Sequence, residues 1–295
     1  MGLRNKIGKL LRAGGGALNG TVYDRLAEVD GKLERLRQPN REFASAQASA
    51  SPASSDPSLP QGLDPALLEK WEEIRTLSKL INAGFNPAVI YDIGAAEGEW
   101  SAAMGTLLPR SQYHLFEPLA EVLPKFSTAL EVQLRQHPNF TLHPVALGAQ
   151  TGNIIMSLKA DGVSSTVFDM GDHSEFAQRQ EVPQWRLDDF VERHSLPLPN
   201  LIKVDAQAAE FQILSHAPKC LSHATLVLAE TWFDRGYGPG TPLITEISAL
   251  LDLHGYQLVE IGHRFYDDKH RLYGCDAIYL KRNLLDRLAP VLRSV

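Results

Sequence analysis

The sequence predicts an α/β protein: a doubly wound sheet of about seven strands, the last of them reversed, behind an N-terminal helical extension. Three observations carry that prediction. Short apolar runs recur from residue 88 to residue 282, and uninterrupted runs of that length suit strands buried on both faces of a parallel sheet. Segments of helical length separate most of them, the alternation that builds such a sheet from βαβ units. The last two runs have only a loop between them, too short for a parallel crossover, so they pair antiparallel.

Taken in order, residues 1–40 hold eight Lys/Arg against four Asp/Glu. Within them Leu18, Val22, Leu26, Val29, Leu33 and Leu36 recur at spacings of three and four, which places one apolar stripe on a helix. The stripe falls short of the length that argues for a coiled coil, so packing on the body and self-association are both open. Ahead of it Arg4, Lys6, Lys9 and Arg12 alternate with Leu3, Ile7, Leu10 and Leu11, a pattern that suits weak contact with an anionic membrane surface or a solvated terminus. Residues 41–63 read as a flexible linker: 14 of the 17 residues in 44–60 are Ser, Ala or Pro and bury too little to offset their ordering entropy.

The main domain is expected over 64–284, with a short tail over 285–295. It begins with a helix near 64–83, the strand AVIYDIG at 88–94, a helix near 97–107 and the strand QYHLFEP at 112–118. A helix near 119–136, FTLHPVAL at 140–147 and NIIMSLKA at 153–160 follow. The second half repeats the alternation with LIKVDA at 201–206, a helix near 207–217, TLVLAETWF at 225–233 and a helix near 242–254. YQLVEIG at 256–262 and DAIYLKR at 276–282 are the final antiparallel pair.

Composition narrows the function. The net charge is −6, and with the basic arm set aside the remainder carries about −10, so no overall basic field exists to grip nucleic acid. Cys220 and Cys275 make neither a disulfide framework nor a zinc-ligand spacing, which points to a reduced, cytoplasmic protein. No run approaches the length of a membrane span, and no apolar signal region is evident near the start. His114 and His143 are expected as packed residues inside strands, and His263 and His270 lack a helical ligand spacing, so no zinc site is expected.

In an open parallel sheet ligands bind outside the carboxyl ends of the strands. The first end reads Asp92-Ile93-Gly94-Ala95-Ala96-Glu97-Gly98. Its glycines permit a tight turn and close approach of a ligand to the next helix, but it is neither G-x-G-x-x-G nor a phosphate-cradling loop with Lys. The second end carries Glu117, about 20 residues on, placed to accept hydrogen bonds from ribose hydroxyls. Asp92 and Glu97 beside the turn would repel a pyrophosphate, which favours a cationic or zwitterionic nucleoside such as S-adenosylmethionine. Helix capping is the alternative role for both carboxylates.

VIYDIGAAEGEWS, YHLFEP, HPVALGAQTGNIIM, WRLDDFV, LIKVDAQAAEFQIL, LVLAETWF and DAIYLKR occur in the order of the blocks of the FkbM-family S-adenosylmethionine-dependent methyltransferases, and residues 85–282 resemble that family. The resemblance implies a class I methyltransferase fold and methyl transfer to oxygen, commonly a hydroxyl of a sugar, polysaccharide or secondary metabolite. It implies a donor pocket built from Asp92, Gly94, Ala95, Glu97, Gly98 and Trp100, with Glu117 at the ribose and Val145, Ala146 and Leu147 at the adenine. Asp205 would sit beside the transferring methyl, and Glu210 and Glu230 would complete the catalytic set. Two positions depart from the family pattern: Ala96 stands where Asn or another small polar residue is usual, and Ala208 where Gly is usual in D-x-x-G-A-E. Weaker donor binding or a tilted following helix would be the consequence.

An alcohol acceptor needs a base within hydrogen-bond reach, and Asp205 is the first candidate, with Glu230 sharing the role or orienting the acceptor. Either could instead ligate a divalent ion. The loops 161–185 and 232–240, the second holding Trp232, Phe233, Asp234, Arg235 and Tyr237, are expected to shape a small-molecule or glycan acceptor pocket or to serve as plain capping loops. Two other classes stay open: a non-catalytic donor-binding or scaffold protein on this fold, and a nicotinamide-dependent oxidoreductase.

Overall fold

The computed structural model describes residues 71–171, 174–176 and 178–292. The striped helix and basic segment expected in 1–40, the linker 41–63 and the beginning of the helix expected from 64 lie outside the described residues. The elements follow in the order α1 (Glu73–Asn82), β1 (Val89–Ile93), α2 (Glu99–Leu107), β2 (Gln112–Phe116), α3 (Pro124–Gln136), β3 (Phe140–His143), β4 (Ala146–Leu147) and β5 (Gly152–Leu158). After a 3₁₀ turn at Ser174–Phe176 come β6 (Gln178–Trp185), α4 (Leu187–His194), β7 (Leu201–Val204), α5 (Glu210–Ser215), α6 (Pro218–His223) and β8 (Leu226–Trp232). The described chain ends with α7 (Ile244–Leu253), β9 (Tyr256–Tyr266), β10 (Leu272–Lys281) and α8 (Arg282–Leu292).

Seven strands form one sheet in the order β3-β2-β1-β7-β8-β10-β9. Strands β1, β2, β3, β7 and β8 are parallel, and β10 runs antiparallel to both β8 and β9. The reversed strand is therefore the last in the chain, inserted between its two neighbours. The strand order reverses between β1 and β7, which opens the crevice at their carboxyl ends. Side chains alternate between two cores: Ile90 belongs to a cluster with Ile74, Trp100 and Met104 on one face, and Tyr91 to one with Phe190, Ile213 and Ile247 on the other. The central strands β1, β7 and β8 are buried along their whole length, which is why they read as continuous apolar runs.

Five expectations change. The run 140–147 is split, because Pro144 has no N–H to continue the ladder; β3 stays in the main sheet while β4 pairs with β6. The run 153–160 does not join the main sheet, since β5 pairs antiparallel with β6 in a separate three-stranded sheet, β4-β6-β5. Residues 178–185, expected within a loop, are the central strand of that small sheet. Their polar composition and Pro183 hide a weak alternation in which only Val182 and Gln184 are buried. The final pair extends to Tyr266 and begins again at Leu272, and Asp267 closes the hairpin by accepting hydrogen bonds from the Lys269 and Arg271 amides at 2.9 Å each. At the C-terminus, α8 runs through the boundary expected at residue 284.

Candidate active site

At the end of β1 the chain turns between β2 and β7. Gly94 takes φ +74°, and a Cβ there would stand 1.8 Å from the carbonyl oxygen of Asp205, so glycine is required by sterics as well as by the dihedral. The Gly94 and Ala95 amides both donate to the Phe116 carbonyl, at 2.9 and 3.2 Å, and tie the turn to β2. Ala96 follows at φ +47° and its amide donates to Glu117 Oε2 at 2.9 Å, while the Leu119 amide donates to Oε1 at 2.8 Å. Glu117 thus clamps the glycine turn to the end of β2. Its burial pushes the carboxyl up to about 7 against the opposing pull of these two backbone donors.

The turn opens on a cavity of about 410 Å³, within the range of small-molecule sites. Of the residues expected at the donor, Gly94, Ala95, Glu97, Trp100, Glu117, Val145, Ala146, Leu147 and Asp205 line it. Gly98 does not; at φ +75° it starts α2 and packs near Leu130 and Leu115. Gly162, Val163, Ser165 and Val167 contribute the wall expected from 161–185. Residues 232–240 line neither this cavity nor the smaller one behind it, because Trp232 packs edge-on against Tyr237 and stacks on Tyr273, and Arg235 pairs with Glu246 at 2.7 Å. Tyr237 alone reaches the site, donating its hydroxyl hydrogen bond to Gln207 Oε1.

Asp92 does not face the ligand space. It is fully buried, accepts a hydrogen bond from Ser101 Oγ at 2.7 Å, and lies 3.0 Å from Lys203 Nζ. The charge argument against a pyrophosphate therefore loses one of its two carboxylates. Lys203, unremarked in the sequence, is the residue that replaces it at the site. Its ammonium also donates to the Gly94 carbonyl at 2.9 Å and stands 3.7 Å from Asp205 Oδ2. Burial opposes its charge, but the carboxylates of Asp92 and Asp205 outweigh that effect and hold the lysine protonated. A lone Lys in the otherwise apolar run LIKV was the available signal, since a buried ammonium needs a partner. Glu97 remains at the cavity, paired with Lys125 at 2.6 Å. Four carboxylates, Glu97, Glu99, Glu117 and Asp205, thus line the cavity beside one ammonium, a polarity that suits a cationic nucleoside.

The Asp205 side chain is 37% exposed, and Gln207 Nε2 donates to its Oδ1 at 3.1 Å and to both oxygens of Glu230 at 3.1 and 3.3 Å. Glu230, on β8, borders a second cavity of about 70 Å³ shared with Glu73, Trp100, Lys203, Asp205 and Asp276. Glu210 lines neither cavity: fully buried, it accepts the Ala206 amide at 2.7 Å and holds the loop after β7 from beneath. It is placed to support the loop. Gln207 and Ala208 take φ +50° and +79° in that loop, so both positions that depart from the family pattern, Ala96 and Ala208, hold alanine in the left-handed region. Among the described residues no group of three or more His, Cys, Asp or Glu side chains is arranged to hold a metal ion.

This strand order, with a glycine turn, a strand-end glutamate and an aspartate converging on one cavity at the switch point, defines the class of S-adenosylmethionine-dependent methyltransferases. The methyltransferase FkbM domain matches residues 92–258, more than half of the chain, and the chain belongs to that family. Among solved structures it is similar to an FkbM methyltransferase from Methylobacillus flagellatus, at 16% identity and a TM-score of 0.43 over 70% of this chain and 54% of that one. It therefore spans about half the length of that protein. It is also similar to fibrillarin from Aeropyrum pernix with bound S-adenosyl-L-methionine, at 12% identity, a TM-score of 0.38 and coverage of 70% and 74%. Magnesium protoporphyrin IX methyltransferase from Synechocystis, with the same molecule bound, is similar at 12% identity, a TM-score of 0.40 and coverage of 71% and 82%. No curated protein matches the sequence.

Proposed function

We propose that the protein O-methylates a hydroxyl of a sugar, polysaccharide or secondary metabolite, with the donor in the larger cavity and Asp205 as the base. The observation that carries this reading is the single cavity that joins the Gly94 turn, Glu117 and the half-exposed Asp205 carboxylate. When bound, S-adenosylmethionine supplies a methyl group already activated on a sulfonium. Glu117 holds the ribose hydroxyls, Val145, Ala146 and Leu147 form the apolar bed for the base, and Glu97 faces the donor's positive end. Lys203 keeps Asp205 oriented through its ion pair and fixes the Gly94 carbonyl, so the acceptor oxygen meets a preorganised carboxylate. Asp205 takes the hydroxyl proton, and Gln207 links it to Glu230 behind.

The same reading divides the chain into an arm over 1–40, a linker over 41–63 and a catalytic domain from 64 that includes α8, and places the reaction in the cytoplasm. No helix among the described residues is long and apolar enough to cross a membrane. The test is methyl transfer from labelled S-adenosylmethionine across a panel of glycans and hydroxylated metabolites, with S-adenosylhomocysteine as a thermal-shift ligand. Transfer that vanishes in Asp205→Asn, with S-adenosylhomocysteine binding retained, supports the assignment; full transfer in Asp205→Asn removes it.

A further inference from the structure

Behind the transfer site lies a feature that methyl transfer to oxygen does not itself require. The cavity of about 70 Å³ collects carboxylates from four separate elements: Glu73 from α1, Asp205 from the end of β7, Glu230 from β8 and Asp276 from β10. Glu230 and Asp276 are directly opposed residues of the antiparallel β8–β10 pair, a position where two like charges repel. Glu73 is 2% exposed and its Oε2 has no hydrogen-bond partner; Trp100 is 4% exposed and its Nε1 has none either. The two groups share one small polar cavity, and the Trp100 indole favours the ionised Glu73 without closing a well-formed hydrogen bond, so two buried polar atoms there are left incompletely satisfied.

The surrounding charges do not balance these carboxylates. Lys203 is the cation that borders the cavity, and it is already paired with Asp92. Beneath the loop, α5 adds a further acid, Glu210, and the aromatic side adds Tyr237, hydrogen-bonded to Gln207, and Tyr273. On β9 the nearby ionisable residues are His263 and Arg264, and Arg264 is 3.5 Å from Glu72.

We propose that protons compensate the charge of the Glu73, Glu230 and Asp276 group in the free protein, and that the arriving sulfonium displaces one of them to solvent. The inference rests on the donor occupying the larger cavity, because Asp205 and Trp100 line both spaces and Asp205 couples the two. The directions of titration agree: burial first, then neighbouring acids, push Glu73 up to about 7, Asp276 up to about 8 and Glu230 well above the ordinary carboxylate range. The balance is simple: one positive charge enters and one proton leaves to the buffer.

The test is calorimetric titration of the full chain at pH 7 in buffers of different ionisation enthalpy, with S-adenosylmethionine and S-adenosylhomocysteine as ligands. The expected result is release of about one proton with the sulfonium and clearly less with the uncharged thioether, since linkage reports the change in bound protons. Glu73→Gln and Asp276→Asn each reduce that release, while Glu131→Gln, on the exposed face of α3, leaves it unchanged. Infrared difference spectra of the unaltered protein give a check that needs no variant: a protonated-carboxyl band is lost when the donor is added. Binding without proton release, equal release with both ligands, or unchanged release in both cavity variants overturns the proposal. If neither ligand binds, the donor reading itself fails and takes this proposal with it.

Discussion

Replacing Gly94 with alanine tests the geometry on which the site depends. The added Cβ would stand 1.8 Å from the Asp205 carbonyl oxygen, more than an ångström inside the 3.0 Å that real Cβ atoms respect. Nothing flexible can give way, because the obstacle is the backbone of β7's continuation. The two central strands must part at their carboxyl ends, which breaks the hydrogen bond from the Asp205 amide to the Ile93 carbonyl, 3.0 Å long. The left-handed backbone costs about 1–2 kcal/mol for a residue with a Cβ. The lost hydrogen bond adds about 1 kcal/mol, and the overpacking about 1–3 kcal/mol. Gly94→Ala should therefore lose about 3–6 kcal/mol in urea unfolding, and its folded fraction should bind S-adenosylhomocysteine poorly. Gly84→Ala is the control: φ there is +97°, and a Cβ would meet nothing within 4 Å. It should cost only the dihedral contribution, about 1 kcal/mol. Equal losses in the two variants, within about 1 kcal/mol, would refute the close approach of the turn to Asp205.

Lys203→Met should destabilise by about 3–5 kcal/mol, because it strands the fully buried Asp92 carboxylate without its cation; urea unfolding at pH 7 measures it, and a loss below about 1 kcal/mol would show the pair to be dispensable. Burial lowers His143 to about 4, and His114 in the same direction, so the folded state binds fewer protons than the unfolded one, and stability should fall as pH drops from about 6.5 towards 4. Melting curves of His143→Phe should show a shallower acid-side loss than those of the unaltered protein. Glu210 shows the opposite sign: burial raises it to about 8, so the stability linked to its protonated form is full below about pH 4.5 and is lost as pH rises through 8. Glu210→Gln should flatten the decline between pH 5 and 8, and an unchanged slope would mean that the carboxyl does not titrate there.

The site was partly legible because glycine turns and strand-end acids are local signals. Gly94, Glu117 and Asp205 each sit at the end of a recognisable apolar run, and all three reach the same cavity. Asp92 was misplaced for a reason that also is local: strand residues alternate faces, and one position before the end of β1 decides whether a carboxylate meets the ligand or the protein interior. Glu210 was misjudged similarly, since a motif places it after the loop but does not say which side of the loop its carboxylate supports. The small sheet escaped notice because β6 is polar and interrupted by Pro183, and its two buried side chains make too short an alternation to stand out.

By itself, the sequence determined the fold class, the reversal of the last strand and the family, because apolar period, connection length and the order of motifs are all written along the chain. Only the tertiary structure decided the electrostatics. Lys203 meets Asp92 across the β1–β7 pair, and Glu73 shares a cavity with Glu230 and Asp276 although α1, β8 and β10 are far apart in the chain. Those partnerships set which carboxylates stay charged. They follow from strand register and from the seating of a helix on a sheet, neither of which any local pattern of residues contains.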